Sequence, residues 1–107
     1  MYQDIMTFEM EILPDNATIV ASGGLLCCEL SDGAVILDLN SGVYYGLDAV
    51  STFIWDLIQE PKPINAIISA MLEEFLVDRE RCLQDLKKLL AEMAQLKLIE
   101  VRNGQSS

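Results

Sequence analysis

Few residues in this 107-residue chain could carry out chemistry. The chain has no histidine and three cysteines: Cys27 and Cys28 are adjacent, and Cys82 lies far along the sequence. A thiol nucleophile needs a nearby base, and a zinc site needs regularly spaced ligands, so neither chemistry fits this pattern. The paired carboxylates Glu73 and Glu74 fall on the polar side of a predicted helix. We therefore expect no catalytic residue, no metal site and no cofactor.

Charge is distributed unevenly along the chain. Seventeen acidic residues against seven basic ones give a net charge of −10. Residues 1–60 contain ten acidic residues and no Lys or Arg, whereas residues 61–107 contain seven of each. Because a phosphate backbone binds a positive surface, this charge argues against nucleic acid as a partner. It fits either a charge that keeps the protein soluble or a surface that attracts a basic partner.

The sequence offers no candidate for a membrane span or a signal peptide. Its longest uncharged stretch runs from Asn16 to Cys28, which is too short to cross a bilayer. The amino terminus lacks the positive charge and apolar run of a signal peptide. An odd number of cysteines, two of them adjacent, favours free thiols in a reducing compartment. The expected location is the cytoplasm, without a membrane partner.

The spacing of the apolar residues changes near residue 48. Before that point, alternation and turn residues predict an antiparallel meander of three strands, the first after the Gly23-Gly24 bend and the others at residues 34–39 and 43–47. After it, apolar residues recur with a helical period. Asp48 is the predicted N-cap of a first helix, a second follows Pro63, and Asp78 is the N-cap of a third.

These elements predict an α+β fold, with a three-stranded antiparallel sheet followed by three helices in a winged helix-turn-helix-like layout. Residues 1–15 are predicted to form an amino-terminal arm or an extra strand, residues 16–101 one domain, and residues 102–107 a frayed tail. The layout makes a DNA-binding regulator one alternative. The third helix carries four basic and four acidic residues on a chain of net charge −10, which argues against that function.

The third predicted strand is the part of the chain most suggestive of binding. It lies between a tight turn and a helix cap, and therefore at an edge of the meander. Natural edge strands are usually protected by charge or proline, and residues 43–47 contain neither. Tyr44, Tyr45 and Gly46 instead offer aromatic surface and close backbone approach. The strand is either an ordinary strand with one buried tyrosine or a docking edge for an extended peptide.

One run of residues is similar to a known family. Residues 33–48, GAVILDLNSGVYYGLD, followed by Phe53-Ile54-Trp55, resemble the PqqD-like family of recognition elements for ribosomally made, post-translationally modified peptides. Residues 78–90 and 96–101 resemble the ending of the same family. The resemblance covers residues 16–101, which would then form a PqqD-like peptide-binding domain. The tyrosine-rich form is most similar to the stand-alone leader-binding proteins of lasso-peptide biosynthesis.

The resemblance implies a non-catalytic adaptor that binds the leader of a precursor peptide and presents the rest of that peptide to an enzyme. In the family, the leader adds as an antiparallel strand to the third strand, in a groove against the third helix. The leader-binding positions that the resemblance implies here are Val43, Tyr44, Tyr45 and Gly46 on the strand and Leu83, Leu86, Lys87 and Leu90 on the helix.

The resemblance also implies the partner enzymes. For a lasso peptide they are a leader protease, a transglutaminase-like cysteine protease, and a cyclase. The main alternative is a leader-binding partner of a radical-SAM peptide maturase, which shares the leader-binding chemistry and differs in the downstream enzyme. A homodimer is a further expectation, because an open strand edge can pair with a second copy of itself.

Overall fold

A computed structural model describes residues 16–102 of the chain. The predicted arm at residues 1–15 and residues 103–107 of the predicted tail lie outside this range. The described elements, in chain order, are β1 (Thr18–Ala21), β2 (Leu25–Leu30), β3 (Gly33–Asp38), β4 (Tyr44–Leu47), α1 (Ala49–Leu57), β5 (Lys62–Pro63), α2 (Ile64–Glu74), α3 (Arg79–Gln95) and β6 (Ile99–Arg102).

The predicted meander and the α+β fold class are confirmed. Strands β2, β3 and β4 form an antiparallel sheet in that order, so β4 lies at an edge. The side of the sheet that carries Ala34 and Ile36 is buried against the helices. In the turn before β4, the Asp38 carboxylate accepts the Asn40 N–H at 2.9 Å, and Gly42 takes a φ of 77° that favours glycine.

A second sheet, with the order β5-β1-β6, was not predicted. Strand β1 pairs antiparallel with both neighbours, and its pairing with β6 joins Thr18 to Arg102, from opposite ends of the described chain. These strands have two to four residues each, too few for a clear period-two pattern in the sequence. Strand β6 includes Arg102, one residue beyond the predicted domain boundary.

Helices α1 and α3 begin directly after their predicted N-caps, and α2 begins after Pro63 as predicted. The Asp48 carboxylate accepts the Ser51 N–H at 2.8 Å at the start of α1, and the Asp78 carboxylate accepts the Arg81 N–H at 3.3 Å at the start of α3. Helix α2 follows Pro63, which supplies extended backbone but no side-chain cap. The apolar stripe of each helix faces the core.

The core lies between the meander, the helices and β1. Isoleucines contribute most of its fully buried side chains, and Trp55 of α1 is also buried. Each such side chain stabilises the fold by about 1.5–3 kcal/mol relative to exposure. The larger buried residues of the cluster are Ile19, Ile36, Ile54, Trp55, Ile58, Ile64, Ile67, Ile68, Met71, Leu86, Leu90, Met93, Leu98 and Ile99.

The carboxyl-terminal end of α3 is held by a Schellman motif. The Lys97 N–H donates to the Ala94 carbonyl at 3.0 Å, and the Leu98 N–H donates to the Met93 carbonyl at 2.9 Å. Lys97 takes the left-handed conformation that this motif requires, with a φ of 64°. The turn buries Leu98 and leads into β6, so it fixes where α3 ends beside the meander.

Replacing Gly33 with alanine is expected to destabilise the fold. A Cβ at this position would clash with the backbone carbonyl of Leu47, and backbone atoms cannot move aside as a flexible side chain can. We expect the free energy of unfolding to fall by about 1–3 kcal/mol, measured by urea denaturation. Gly23→Ala is the matched control, because no atom lies within 4 Å of its added Cβ. Equal stability of the two variants would contradict the prediction.

Candidate functional site

The hydrogen bonds between β3 and β4 determine which backbone groups of β4 face outward. The Asp38 N–H donates to the Val43 carbonyl at 2.9 Å, and in an antiparallel pair hydrogen-bonded positions recur at every second residue. With Ile36 opposite Tyr45, the backbone groups of Tyr45 therefore point toward β3. Those of Tyr44 and Gly46 point away from β3. Among residues 16–102, β4 pairs with no other strand, so these outward groups form an open edge.

A groove of about 340 Å³ runs beside this edge. Strand β4 forms one wall and α3 the other, with Ser51 of α1 at one end. The strand wall supplies Tyr44, Tyr45, Gly46 and Leu47, and the opposite wall supplies Leu89, Glu92, Met93, Leu96 and Leu98. We call this space the β4–α3 groove.

The structure places the predicted strand residues at this groove. Tyr44, Tyr45 and Gly46 line it. Val43 lies just before β4, is exposed, and accepts the hydrogen bond that sets the phase of the edge. Their contact with a leader stays a prediction.

The predicted helix residues do not line this groove, and their contact with a leader stays a prediction. Leu86 and Leu90 are 1% and 0% exposed and belong to the core. Leu83 is half-buried against the same core, and Lys87 is half-buried on the helix surface. Among the described residues that line the β4–α3 groove, none of these four positions appears.

The geometry of α3 explains why these four positions do not line the groove. At about 100° per residue, the core-facing stripe of α3 runs through Cys82, Leu86, Leu90 and Met93. The four predicted helix positions are centred on one side of that stripe. The α3 residues that line the groove are centred on the other side of the stripe, about 120° around the helix axis from the predicted positions. The apolar face of α3 is wide enough to cover both flanks, so the sequence did not tell which flank faces β4.

The floor residues that were missed carried a weak signal in the sequence. Leu89 and Leu96 are seven residues apart and share a face of α3, with Glu92 between them. Leu96 is 46% exposed in the structure, an unusual exposure for a leucine of a predicted core face. The acid Glu92 lies among apolar neighbours at an accessible surface. No basic residue lines the groove within residues 16–102.

A second, smaller pocket has a volume of about 210 Å³. It lies beyond the Leu47 end of β4, where α1 begins, and Val50 of α1 lines it next to the Ser51 that ends the groove. Its walls are mostly apolar and include Met71 and Phe75. Phe75 is fixed by an edge-to-face contact with Phe53, with ring centroids 5.3 Å apart.

The polar groups of the second pocket lie on α3. Arg81 and Asp85 form an exposed ion pair with an N–O distance of 3.6 Å. Cys82 is buried, its sulfur lies 3.8 Å from that of Met71, and burial raises the pKa of its thiol. A thiol with a raised pKa is a poor nucleophile, so Cys82 acts as an apolar wall. These features suit an apolar side chain.

The site has the geometry for strand addition. Within residues 16–102, no group of three or more His, Cys, Asp or Glu side chains is placed to hold a metal ion. None of the helices in that range is long and apolar enough to cross a membrane. An open strand edge beside an apolar groove is the arrangement by which β-strand addition modules bind extended peptides.

Comparison with known proteins agrees with this class. The PqqD family, described as coenzyme PQQ synthesis protein D, matches residues 33–99. The chain therefore belongs to the PqqD family, which confirms the resemblance seen in the sequence. It is also similar to a solved structure described as TbiB1 in complex with the TbiA(beta) leader peptide, with 36% sequence identity and a TM-score of 0.71. That match covers 76% of this chain and 94% of the other. No curated protein matches.

Proposed function

We propose that this protein is a non-catalytic adaptor that binds the leader of a ribosomally synthesised precursor peptide in the β4–α3 groove. The observation that carries the proposal is the open edge of β4 facing an apolar flank of α3. The similarity to TbiB1, which was solved with a leader peptide, supports it. The leader adds to β4 as an antiparallel strand.

The backbone of β4 supplies the sequence-independent part of the binding. The N–H and C=O groups of Tyr44 and Gly46 offer four hydrogen bonds to an added strand, each of about 0.5–1.5 kcal/mol net. Gly46 has no side chain on this edge, and no atom lies within 4 Å of where its Cβ would be. Side chains of a strand point to the two faces of the sheet, so the backbone edge at Gly46 is open to the leader backbone.

The groove and the second pocket supply the specificity. An antiparallel leader runs from the Leu47 end of β4 toward the Tyr44 end. Its residues that precede the paired segment then reach the second pocket beside Val50. One apolar anchor in each cavity contributes about 1.5–3 kcal/mol. Ordering a flexible leader costs about 2–5 kcal/mol. With the hydrogen bonds and anchors near the upper end of their ranges, the remaining free energy corresponds to a dissociation constant near 1 µM or somewhat lower.

The same proposal includes the identity of the enzyme that acts on the bound precursor peptide. The partner we favour is the leader protease of a lasso-peptide pathway, a transglutaminase-like cysteine protease, with the cyclase acting after it. Tyr44 and Tyr45 support this choice, because the tyrosine-rich strand is the feature that resembles stand-alone lasso leader-binding proteins. The reducing cytoplasm is the proposed location, in keeping with the free thiols of Cys27, Cys28 and Cys82.

The proposal predicts saturable binding of a leader peptide. A fluorescein-labelled synthetic leader from the precursor gene beside this one is titrated with the full chain, and fluorescence anisotropy is measured. We expect a dissociation constant of about 1 µM or below. A scrambled peptide of the same composition is expected to bind at least about tenfold more weakly, because it keeps backbone pairing but misplaces the anchors.

Equal binding of the leader and the scrambled peptide, or no binding by a folded sample, would contradict the adaptor function. A titration of the same sample with labelled duplex DNA tests the regulator alternative, for which the chain charge of −10 predicts no binding. A leader that binds but is processed only by a radical-SAM enzyme would assign the protein to the alternative pathway.

A further inference from the structure

The side of the meander that faces away from the core is apolar. Successive side chains of a strand point to opposite faces, and the register places Leu26 opposite Leu37 and Cys28 opposite Val35. Tyr44 lies opposite Leu37 on the other side of β3. We call this surface the outer face and define it by Leu26, Cys28, Leu30, Val35, Leu37 and Tyr44.

The outer face is accessible. Leu26 is 56% exposed, Leu30 55% and Tyr44 69%, and none of the six residues of the face belongs to the core cluster. An antiparallel sheet with one face on the core usually places polar residues on the other. This meander has apolar residues on both faces. Its outer face therefore exposes more apolar surface than folding requires.

The size of the outer face suits the centre of an interface. Three strands about 4.8 Å apart and about 20 Å long cover roughly 280 Å². That is about as large as the largest apolar patch on a typical monomer, where such patches are often functional. A stable complex buries about 800 Å² on each partner. The outer face would thus be the apolar centre, and the loops and acidic side chains around it the rim.

The charge around the outer face indicates what kind of partner covers it. Asp32 lies in the turn between β2 and β3 and Asp48 directly follows β4, both at one end of the outer face, and the first basic residue of the chain is Lys62. Glu29 and Asp38 belong to the core-facing side of the sheet with Ala34 and Ile36, so they add negative charge beside the outer face and not on it. Face-to-face docking of a second copy would bring two acid-only rims together. Like charges held together at an interface cost several kcal/mol, whereas a basic rim on a different protein would be attracted.

From these observations we propose that the outer face docks a partner protein whose contact surface is apolar and rimmed by Lys and Arg. The identity of that partner rests on the function proposed above: it is the leader protease. Leu26 and Leu30 lie on β2, separated from the open edge of β4 by β3, at about 10 Å across the sheet. The leader and the protease therefore occupy adjoining surfaces that share only Tyr44, so the protease can contact β2 while the leader pairs with β4.

The double variant Leu26→Lys/Leu30→Lys tests the outer face. It removes apolar contact and adds repulsion toward a basic partner. We expect at least about tenfold weaker binding to the purified protease by isothermal titration calorimetry, and a leader dissociation constant unchanged within about twofold. Leu76→Lys is the matched control, because Leu76 is a fully exposed leucine between α2 and α3. Tenfold weaker protease binding in this control as well would overturn the proposal.

Alkylation of Cys28 locates the contact directly. Cys28 is exposed at the centre of the outer face, whereas Cys27 points to the opposite side of the sheet. We expect the protease to slow the reaction of Cys28 with iodoacetamide at least about fivefold, with Cys27 as the internal reference. Protection of Cys28 that grows with the concentration of this protein alone would show a second copy on the face and overturn the proposal.

The remaining outcomes distinguish a failure of the outer-face proposal from a failure of the proposed function. Protease binding with Cys28 unprotected would place the contact elsewhere and overturn the outer-face proposal. Leader binding without any protease binding would overturn the partner and leave the leader-binding function standing. Protease binding with Cys28 protected but without leader binding would support the outer face and contradict the function.

Discussion

Replacing Gly46 with proline is expected to weaken leader binding by at least about tenfold. The Gly46 N–H points away from β3 and is available to an added strand, so proline removes one hydrogen bond and places its ring against the incoming backbone. A lost backbone hydrogen bond costs about 0.5–1.5 kcal/mol, and an unsatisfied leader carbonyl adds about 1–3 kcal/mol. The measurement is the anisotropy titration with the labelled leader.

Gly46→Ala is the matched control for this variant. Alanine keeps the N–H, and its Cβ meets no atom within 4 Å, so we expect the leader affinity to stay within about threefold. Circular dichroism verifies that both variants are folded. An unchanged affinity in folded Gly46→Pro would refute strand addition at β4, whereas equal losses in both variants would trace the effect to side-chain volume.

Replacing Leu96 with aspartate is expected to reduce leader affinity by at least about tenfold. Leu96 is a partly exposed apolar residue on the α3 wall of the β4–α3 groove, one turn beyond Glu92. A carboxylate there loses apolar contact of about 1.5–3 kcal/mol and would be buried without a partner when the leader binds. Because the side chain is accessible in the free protein, the fold should tolerate the change.

Two further variants make this prediction specific. Leu76→Asp introduces the same carboxylate at an exposed leucine that lines neither the groove nor the second pocket, and we expect leader affinity to stay unchanged. Leu83→Ala tests the flank of α3 that the family resemblance favoured, and should change affinity by less than about twofold. A larger loss from Leu83→Ala than from Leu96→Asp would show that the leader contacts the other flank.

The β4 side of the site could be predicted from the sequence, because the turn residues and apolar strand that indicate it are close together in the chain. Two short turns around an apolar strand predict a meander whose last strand lies at an edge, and the structure confirms that order. The phase of the edge was not predictable, because it depends on which pairs of β3 and β4 share hydrogen bonds. Tyr45 was a natural candidate for a backbone contact, yet its N–H and C=O groups face β3.

The helix side of the site required tertiary information. The apolar residues of α3 cover more than half its circumference, and only packing decides which of them form the core. The second sheet decides it, because β6 follows α3 and pairs with β1. That pairing joins residues far apart in the sequence, and no local pattern predicts it.

The pairing of β1 with β6 also bears on when the protein becomes active during its synthesis. The chain begins its second sheet at Thr18 and completes it only with residues 99–102. The Ser22 N–H donates to the Leu98 carbonyl at 2.9 Å, so the end of α3 is anchored by the same closure. A nascent chain can fold the meander early, because those contacts are local. We therefore expect the wall opposite β4 to take its place last, and a partly translated chain to present an open edge without a groove until β6 has been made.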